Sequence, residues 1–137
     1  MVDVQAQSKS RRTDTVRLAV EGINLKATHG VFEAERKAPQ SFQIDVEMEA
    51  DIERALVSDQ LEDTVDHASV VRIVQEISQG RQFNLIESFA HAICCTILDR
   101  LPRVQCAQVT VRKLAPYNLG STACTRAEVR LSRVGNP

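Results

Sequence analysis

The sequence predicts an α+β domain in which a four-stranded antiparallel sheet is covered on one face by two helices. Two segments near the start of the chain alternate apolar and polar residues, and two more do so near its end. Such alternation is typical of strands with one buried and one solvated face, which favours antiparallel pairing. Between them, two stretches have apolar residues at steps of three and four, as on amphipathic helices. The predicted order is strand, strand, helix, helix, strand, strand.

The composition indicates a single globular domain. The chain has 137 residues, 43% of them hydrophobic and 26% charged, and its formal net charge is -1. This balance gives no electrostatic reason to expect a nucleic-acid partner. Because there is no long apolar run and no apolar signal segment, we expect no membrane partner and a cytoplasmic location. The cysteines are then expected to be reduced core residues, and they are Cys94, Cys95, Cys106 and Cys124.

The first two strands form a predicted hairpin. Residues 1–14 are polar and without periodicity, which predicts a disordered tail, and residues 15–134 are expected to form the one domain. The first strand begins near Val16 and is expected to bend or bulge at Gly22. A loop over residues 29–39 leads to a second strand, in which Phe42, Ile44, Val46 and Met48 alternate with polar residues.

Two helices follow the hairpin. The first is expected to start within residues 61–67 and to end at Gly80, a residue common at helix C-termini. The second starts at Asn84, where the three-residue spacing to Glu87 matches a capping box. Pro102 would stop it.

The last two strands complete the sheet. Val104 and Cys106 are at even positions, whereas Val109 and Val111 are at odd positions, so a regular strand would point the two pairs to opposite faces. This predicts a bulge or a late strand start near residues 107–108. The final strand alternates around Val129. A sheet of this kind has exposed edges, so pairing with another copy of the chain is a reasonable expectation.

A few polar residues lie at the ends of these elements, where a ligand site could form. Each also has a structural explanation, since acids at helix starts are commonly caps and a lysine at a strand end is commonly an edge charge. His29, beside a glycine, is interpreted as a loop histidine. No metal-ligand spacing, phosphate loop or dinucleotide fingerprint occurs. The candidates are Glu35, Asp63, Asp66, His67, Glu87 and Lys113.

Five segments around these residues resemble the dihydroneopterin aldolase family, over nearly all of Val16 to Arg133. They are His29-Gly30-Val31-Phe32 with Glu35-Arg36, Pro39-Gln40-Ser41-Phe42, Asp63-Thr64-Val65-Asp66, Leu85-Ile86-Glu87, and Val111-Arg112-Lys113 followed by Ala115-Pro116. The resemblance implies the T-fold, a small antiparallel subunit that closes into rings. It also implies a lyase that splits 7,8-dihydroneopterin into 6-hydroxymethyl-7,8-dihydropterin and glycolaldehyde on the way to folate, with no metal and no cofactor.

The resemblance also assigns roles to individual residues. Glu87 would accept hydrogen bonds from the pterin ring, and backbone groups of Ile86, Thr64 and Val65 would complete the edge of the ring site. Lys113 would take a proton from the substrate's side-chain hydroxyl with the help of a water, and Glu35 would position the lysine and relay protons.

One position departs from the family pattern. The family usually has a tyrosine where this chain has His67, and that tyrosine is thought to handle a proton after cleavage and to serve an epimerase side reaction. A histidine can also donate and accept protons. Three functions therefore remain open: an aldolase, an epimerase of dihydroneopterin or its triphosphate, and a non-catalytic pterin-binding oligomer. A triphosphate would need extra basic groups, for which Arg112 and Arg126 are the candidates.

The resemblance finally predicts the assembly. Sites in the family lie between subunits, so we expect a homo-oligomer, an octamer of two stacked tetrameric rings. The sequence shows exposed sheet edges but does not fix the closure angle or the copy number.

Overall fold

The computed structural model describes residues 16–133, and the predicted tail over residues 1–14 lies outside them, as do Thr15 and Val134 at the predicted domain ends. The elements in chain order are β1 (Val16–Ala27), α1 (Glu33–Lys37), β2 (Gln40–Ala50), α2 (Glu53–Ser58), a 3₁₀ turn (Leu61–Asp63), α3 (His67–Gly80), α4 (Ile86–Arg100), β3 (Val104–Leu114) and β4 (Cys124–Ser132). Within these residues, every helix is too short or too polar to span a bilayer.

The four strands form one antiparallel sheet in the order β1-β2-β3-β4. The long helices α3 and α4 pack on one face of it, so the predicted fold class is confirmed. The core lies between the sheet and these helices, because the alternate residues of β2 and the apolar stripes of both helices point toward each other. Its largest fully buried side chains include Phe42, Phe83, Phe89, Met48 and Ile93.

Two irregularities control which side chains of the sheet face the core. The predicted bulge at Gly22 is present, with a shift of register between Val20 and Ile23 and a left-handed φ of 71° at the glycine. The Gly22 amide, freed from the ladder, donates to Asp45 Oδ1 at 2.8 Å. The second bulge lies at Gln105, because Glu49 pairs with residue 106 and Ala50 with residue 104. It comes two residues before the predicted position at residues 107–108.

Two local predictions were wrong. The expected loop over residues 29–39 contains the short helix α1. The capping box at the start of α4 does not form, since the N-cap residue is Leu85, which makes no side-chain cap bond. Asn84 Oδ1 instead accepts a hydrogen bond from Arg36 Nη2, and this tertiary contact replaces the local cap. At α3 the expected acid cap is present, because Asp66 Oδ1 accepts from the Ala68 amide at 2.9 Å.

The core-facing row of β3 leads directly to the candidate site. Ala107, Val109 and Val111 are fully buried and pair with the core-facing residues of β2. Side chains of one strand face point the same way at every second residue, so Lys113 continues this row. It pairs with Phe42 of β2, one residue before the end of β3 at Leu114.

Candidate active site

The strongest polar contact at this end of the sheet joins Lys113 and Glu35. Lys113 Nζ lies 2.7 Å from Glu35 Oε2, and the two side chains are 11% and 5% exposed. The lysine comes from the end of β3 and the glutamate from α1, which are 78 positions apart in the chain. An ion pair with this little access to water is more strongly coupled than a surface pair.

Glu35 is held as a carboxylate. Burial alone would raise its pKa, but hydrogen bonds from Lys113 and from the Phe32 amide, together with the charge of Lys113, lower the pKa below its usual value. The Phe32 amide lies 3.3 Å from Glu35 Oε1. The acid therefore presents an ionised oxygen to the lysine throughout the neutral pH range.

A cleft of about 600 Å³ opens over this pair, and we call it the lysine cleft. Its wall includes Ile86 and Glu87 from the first turn of α4, and its rim includes the exposed rings of Phe32 and Tyr117, 5.5 Å apart. Glu87 is exposed and makes no hydrogen bond or ion pair with the described part of the chain. It is thus available to a ligand that offers N–H donors, which a carboxylate binds through two oxygens.

The other predicted site residues lie in a different cleft. Thr64 and Val65 line an opening of about 690 Å³ between the start of α3 and the end of α4, which we call the helix-start cleft. It shares no lining residue with the lysine cleft. His67, the first residue of α3, is exposed and lines neither of them. One chain therefore brings together Lys113, Glu35, Glu87 and Ile86, but not Thr64, Val65 and His67.

His29 lies in the loop between β1 and α1, as expected from the sequence, but it is also a core residue, which the sequence did not indicate. It is 2% exposed, with its ring against those of Phe42, Phe83 and Phe89. Its Nδ1 accepts from the Phe83 amide at 3.0 Å, which leaves Nε2 to donate to Ser78 Oγ, also at 3.0 Å. Burial and the nearby charge of Lys113 lower its pKa to about 4. These partners lie 49 and 54 positions away, so no local pattern could have revealed them.

The two arginines considered for a phosphate have different surroundings. Arg112 Nη1 lies 2.6 Å from Asp45 Oδ2, and Arg112 does not line the lysine cleft. Arg126 does line that cleft, with Nη2 3.8 Å from Glu128 Oε1. Of the two, only Arg126 lines this cleft. Residues 16–133 contain no cluster of three or more acidic, histidine or cysteine side chains that could hold a metal ion.

Comparison with known proteins gives consistent similarities. The family model for dihydroneopterin aldolase matches residues 18–132 of the chain. A dihydroneopterin aldolase of Streptococcus pyogenes serotype M18 is 32% identical over 117 residues, which cover 85% of this chain and 98% of that protein.

Solved structures show the same fold. A Vibrio cholerae protein named as a dihydroneopterin aldolase superposes with a TM-score of 0.80 at 23% identity, covering 88% of this chain and all of the other. The Escherichia coli dihydroneopterin aldolase, solved in complex with neopterin, superposes with a TM-score of 0.76, also at 23% identity, and covers 88% of this chain and all of its own. At this identity the structures support the architecture, and the sequence relatives support the family.

Proposed function

Because the chain belongs to the dihydroneopterin aldolase family, we propose that it cleaves 7,8-dihydroneopterin into 6-hydroxymethyl-7,8-dihydropterin and glycolaldehyde. The buried Glu35–Lys113 pair, with the free carboxylate of Glu87 in the same cleft, is the observation that supports this activity most strongly. The reaction needs a group that holds a flat, donor-rich ring and a group that moves protons beside it. The lysine cleft has one of each.

Proton removal is assigned to Lys113. Loss of the proton from the substrate's side-chain hydroxyl turns that carbon into the aldehyde, and the electrons of the breaking carbon–carbon bond move into the ring imine. Lysine accepts such a proton, directly or through a water, only when it is uncharged. Glu35 Oε2 lies 2.7 Å from Nζ, so Glu35 can fix the position of the amine. Because the acid stays ionised at neutral pH, it relays the proton of Lys113 onward and does not keep it.

Ring binding is assigned to Glu87. Its carboxylate stands in the first turn of α4, on the wall of the lysine cleft. A pterin ring offers adjacent amino and ring N–H donors, and two parallel hydrogen bonds to one carboxylate fix both its position and its tilt. The backbone of Ile86 lies beside it, on the same wall of the cleft.

We also propose that each complete site is built from two copies of the chain. Since Thr64, Val65 and His67 lie outside the lysine cleft, they could meet a substrate there only by coming from a neighbour. Exposed apolar side chains support such a contact, because they surround the lysine cleft and also lie next to the helix-start cleft. They are Val31, Phe32, Leu85, Tyr117 and Leu119 around the first, and Leu56, Val57 and Leu61 near the second.

The assembly proposed from this contact is a ring. β1 and β4 form the two edges of the sheet over residues 16–133, and pairing of such edges between copies extends the sheet without a break. A closed ring leaves no exposed edge. We propose an octamer of two stacked tetrameric rings, with His67 of one copy delivering the proton after cleavage in the site of its neighbour.

A turnover assay tests the activity. Purified protein is incubated with 7,8-dihydroneopterin, and glycolaldehyde and 6-hydroxymethyl-7,8-dihydropterin are expected in equal amounts. Running His67→Tyr alongside shows how well the histidine performs the proton transfer, since a phenol should also serve there. Absence of glycolaldehyde from both proteins, with the pterin still bound, would contradict an aldolase and leave an epimerase or a binding protein. Light scattering on the same sample gives the copy number.

A further inference from the structure

Gly30 lies in direct contact with the side chain of Glu35. A Cβ atom placed on Gly30 would stand 2.6 Å from Glu35 Cβ, 2.5 Å from its Cδ and 2.6 Å from its Oε1. Carbon atoms that are not bonded do not approach this closely, so any side chain at position 30 must displace the glutamate. The Glu35 carboxyl group thus occupies the space that a side chain at position 30 would fill.

The backbone around Gly30 is fixed by contacts with distant parts of the chain. Its amide donates to Phe83 O at 2.9 Å, and its carbonyl accepts from Arg36 Nε at 3.0 Å. The preceding residue, His29, holds the Phe83 amide with its buried ring. Because Gly30 is tied on both sides, the loop cannot easily move aside to admit a larger residue. The glutamate would be the part that moves.

Backbone conformation does not explain why this residue is a glycine. The positive φ angles of described glycines occur at Gly22 and Gly120, and Gly30 is not among them. Gly30 therefore does not need the left-handed conformation that favours glycine over alanine. The contact with Glu35 remains as the constraint that a side chain would violate.

We propose that Gly30 is a positioning residue for the reaction, and that its missing side chain lets Glu35 lie against the loop within hydrogen-bond distance of Lys113 Nζ. The inference rests on the proposed function, in which the Glu35–Lys113 pair moves the proton. It assigns to Gly30 an effect on turnover and none on ring binding, because Glu87 stands on a different element of the cleft.

The primary test is Gly30→Ala in the full-length protein, compared with Gly80→Ala. Gly80 is the matched control, because a Cβ there meets nothing within 4 Å and its φ is not positive. Misplacing a reacting group by about 1 Å costs about a hundredfold in rate, so kcat of Gly30→Ala should fall by roughly that factor. KM should stay within about twofold, and Gly80→Ala should match the wild type. Wild-type kcat in Gly30→Ala would overturn the proposal.

A double-mutant cycle shows whether the effect passes through Glu35. Once Glu35→Ala has removed the carboxylate, adding Gly30→Ala should lower kcat by less than about twofold further. Two independent, multiplicative losses would overturn the proposal, because the loop change would then act on other groups. Wild-type kcat in Glu35→Ala would instead remove the assigned role of Glu35, and the Gly30 proposal with it.

A third comparison covers the case in which Gly30→Ala folds poorly. Glu35→Gly removes the three atoms that lie nearest to the new Cβ. The melting temperature of Gly30→Ala/Glu35→Gly should therefore equal that of Glu35→Gly alone, although Gly30→Ala on its own lowers it. A melting temperature that stays lower in the double variant would show that Gly30 avoids some other contact, which also overturns the proposal.

Discussion

The lysine cleft and the helix-start cleft differ in whether the candidate site residues in or beside them contact each other within one chain. In the lysine cleft, the Glu35–Lys113 pair is formed and buried within a single chain. In the helix-start cleft, Thr64 and Val65 offer mainly backbone groups, and the neighbouring His67 is exposed to solvent. The Glu35–Lys113 pair is thus formed by the tertiary fold of one chain, whereas the complete site that we propose needs a second copy. Changes in the two regions should therefore have different signatures.

The largest expected effect comes from Lys113→Ala. General acid–base groups typically contribute about 10²- to 10⁴-fold to a rate, so kcat should fall by an amount in that range. The copy number should not change, because the lysine is buried inside its own chain. Lys37→Ala is the matched control, since its Nζ pairs with Glu33 at the exposed surface. Activity close to wild type in Lys113→Ala would remove this residue from the mechanism.

The second expected effect is recovery of activity in mixed oligomers. Lys113→Ala and His67→Ala chains, each inactive alone, are expected to regain about a quarter of wild-type activity when co-expressed in equal amounts. In such mixtures, a quarter of the sites join an intact lysine cleft to an intact His67. Mass spectrometry would show whether mixed oligomers form. If they form and no activity is recovered, both residues act in the site of one chain, and the proposed two-chain site is contradicted.

The third effect is a pH dependence of stability that originates behind the lysine cleft. The pKa of His29 is lowered to about 4 in the folded chain, from 6.5 for an ordinary histidine. As the pH falls through 6.5, His29 becomes protonated in the unfolded chain but stays neutral in the folded chain. This stabilisation is therefore present above pH 6.5 and is lost progressively toward pH 4, by about 3 kcal/mol in total.

Chemical denaturation at several pH values measures this contribution. His29→Gln should flatten the fall in unfolding free energy between pH 6.5 and 4, whereas His91→Gln, at an exposed position, should leave it unchanged. The slope is compared rather than the absolute stability, because the substitution also disturbs packing. Equal slopes in the wild type and His29→Gln would show that His29 does not titrate in this way.

The smallest effect is expected for Glu87→Ala. Hydrogen bonds to a charged group strengthen binding by about tenfold to a hundredfold, so the affinity for neopterin should fall by that factor. The melting temperature should be unchanged, since Glu87 is exposed and caps nothing. Glu33→Ala, which removes another exposed glutamate, serves as the control in the same calorimetric titration. Unchanged affinity would mean that the ring is held elsewhere.

Much of the fold was predictable because it depends on periodicity. Alternation in β2 and β4 and the stripes of α3 and α4 specify which faces are buried, and the structure confirms them. Residues 33–37 and the start of α4 were less predictable, because tertiary hydrogen bonds override local preferences there. Asn84, for example, binds Arg36 from 48 positions away and does not cap its own helix.

The site was predictable in its residue types but not in its arrangement. Spacing along the chain suggests that Lys113 and Glu35 stand at element ends, yet nothing local brings together residues 78 positions apart. The resemblance to a family named both of them. It did not indicate the packing of Gly30 against Glu35 or the burial of His29, since these depend on contacts that only the folded chain makes.

The bulge at Gln105 has a consequence for the far end of its strand. The extra residue shifts the alternation of side chains along β3 by one position. As a result, Val104 and every second residue from Ala107 to Lys113 can face the helices. Without that shift, anchoring of Val104 in the core would turn the lysine toward the opposite side of the sheet, away from Glu35. A single inserted residue therefore sets the direction of the Lys113 side chain from about 25 Å away along the strand.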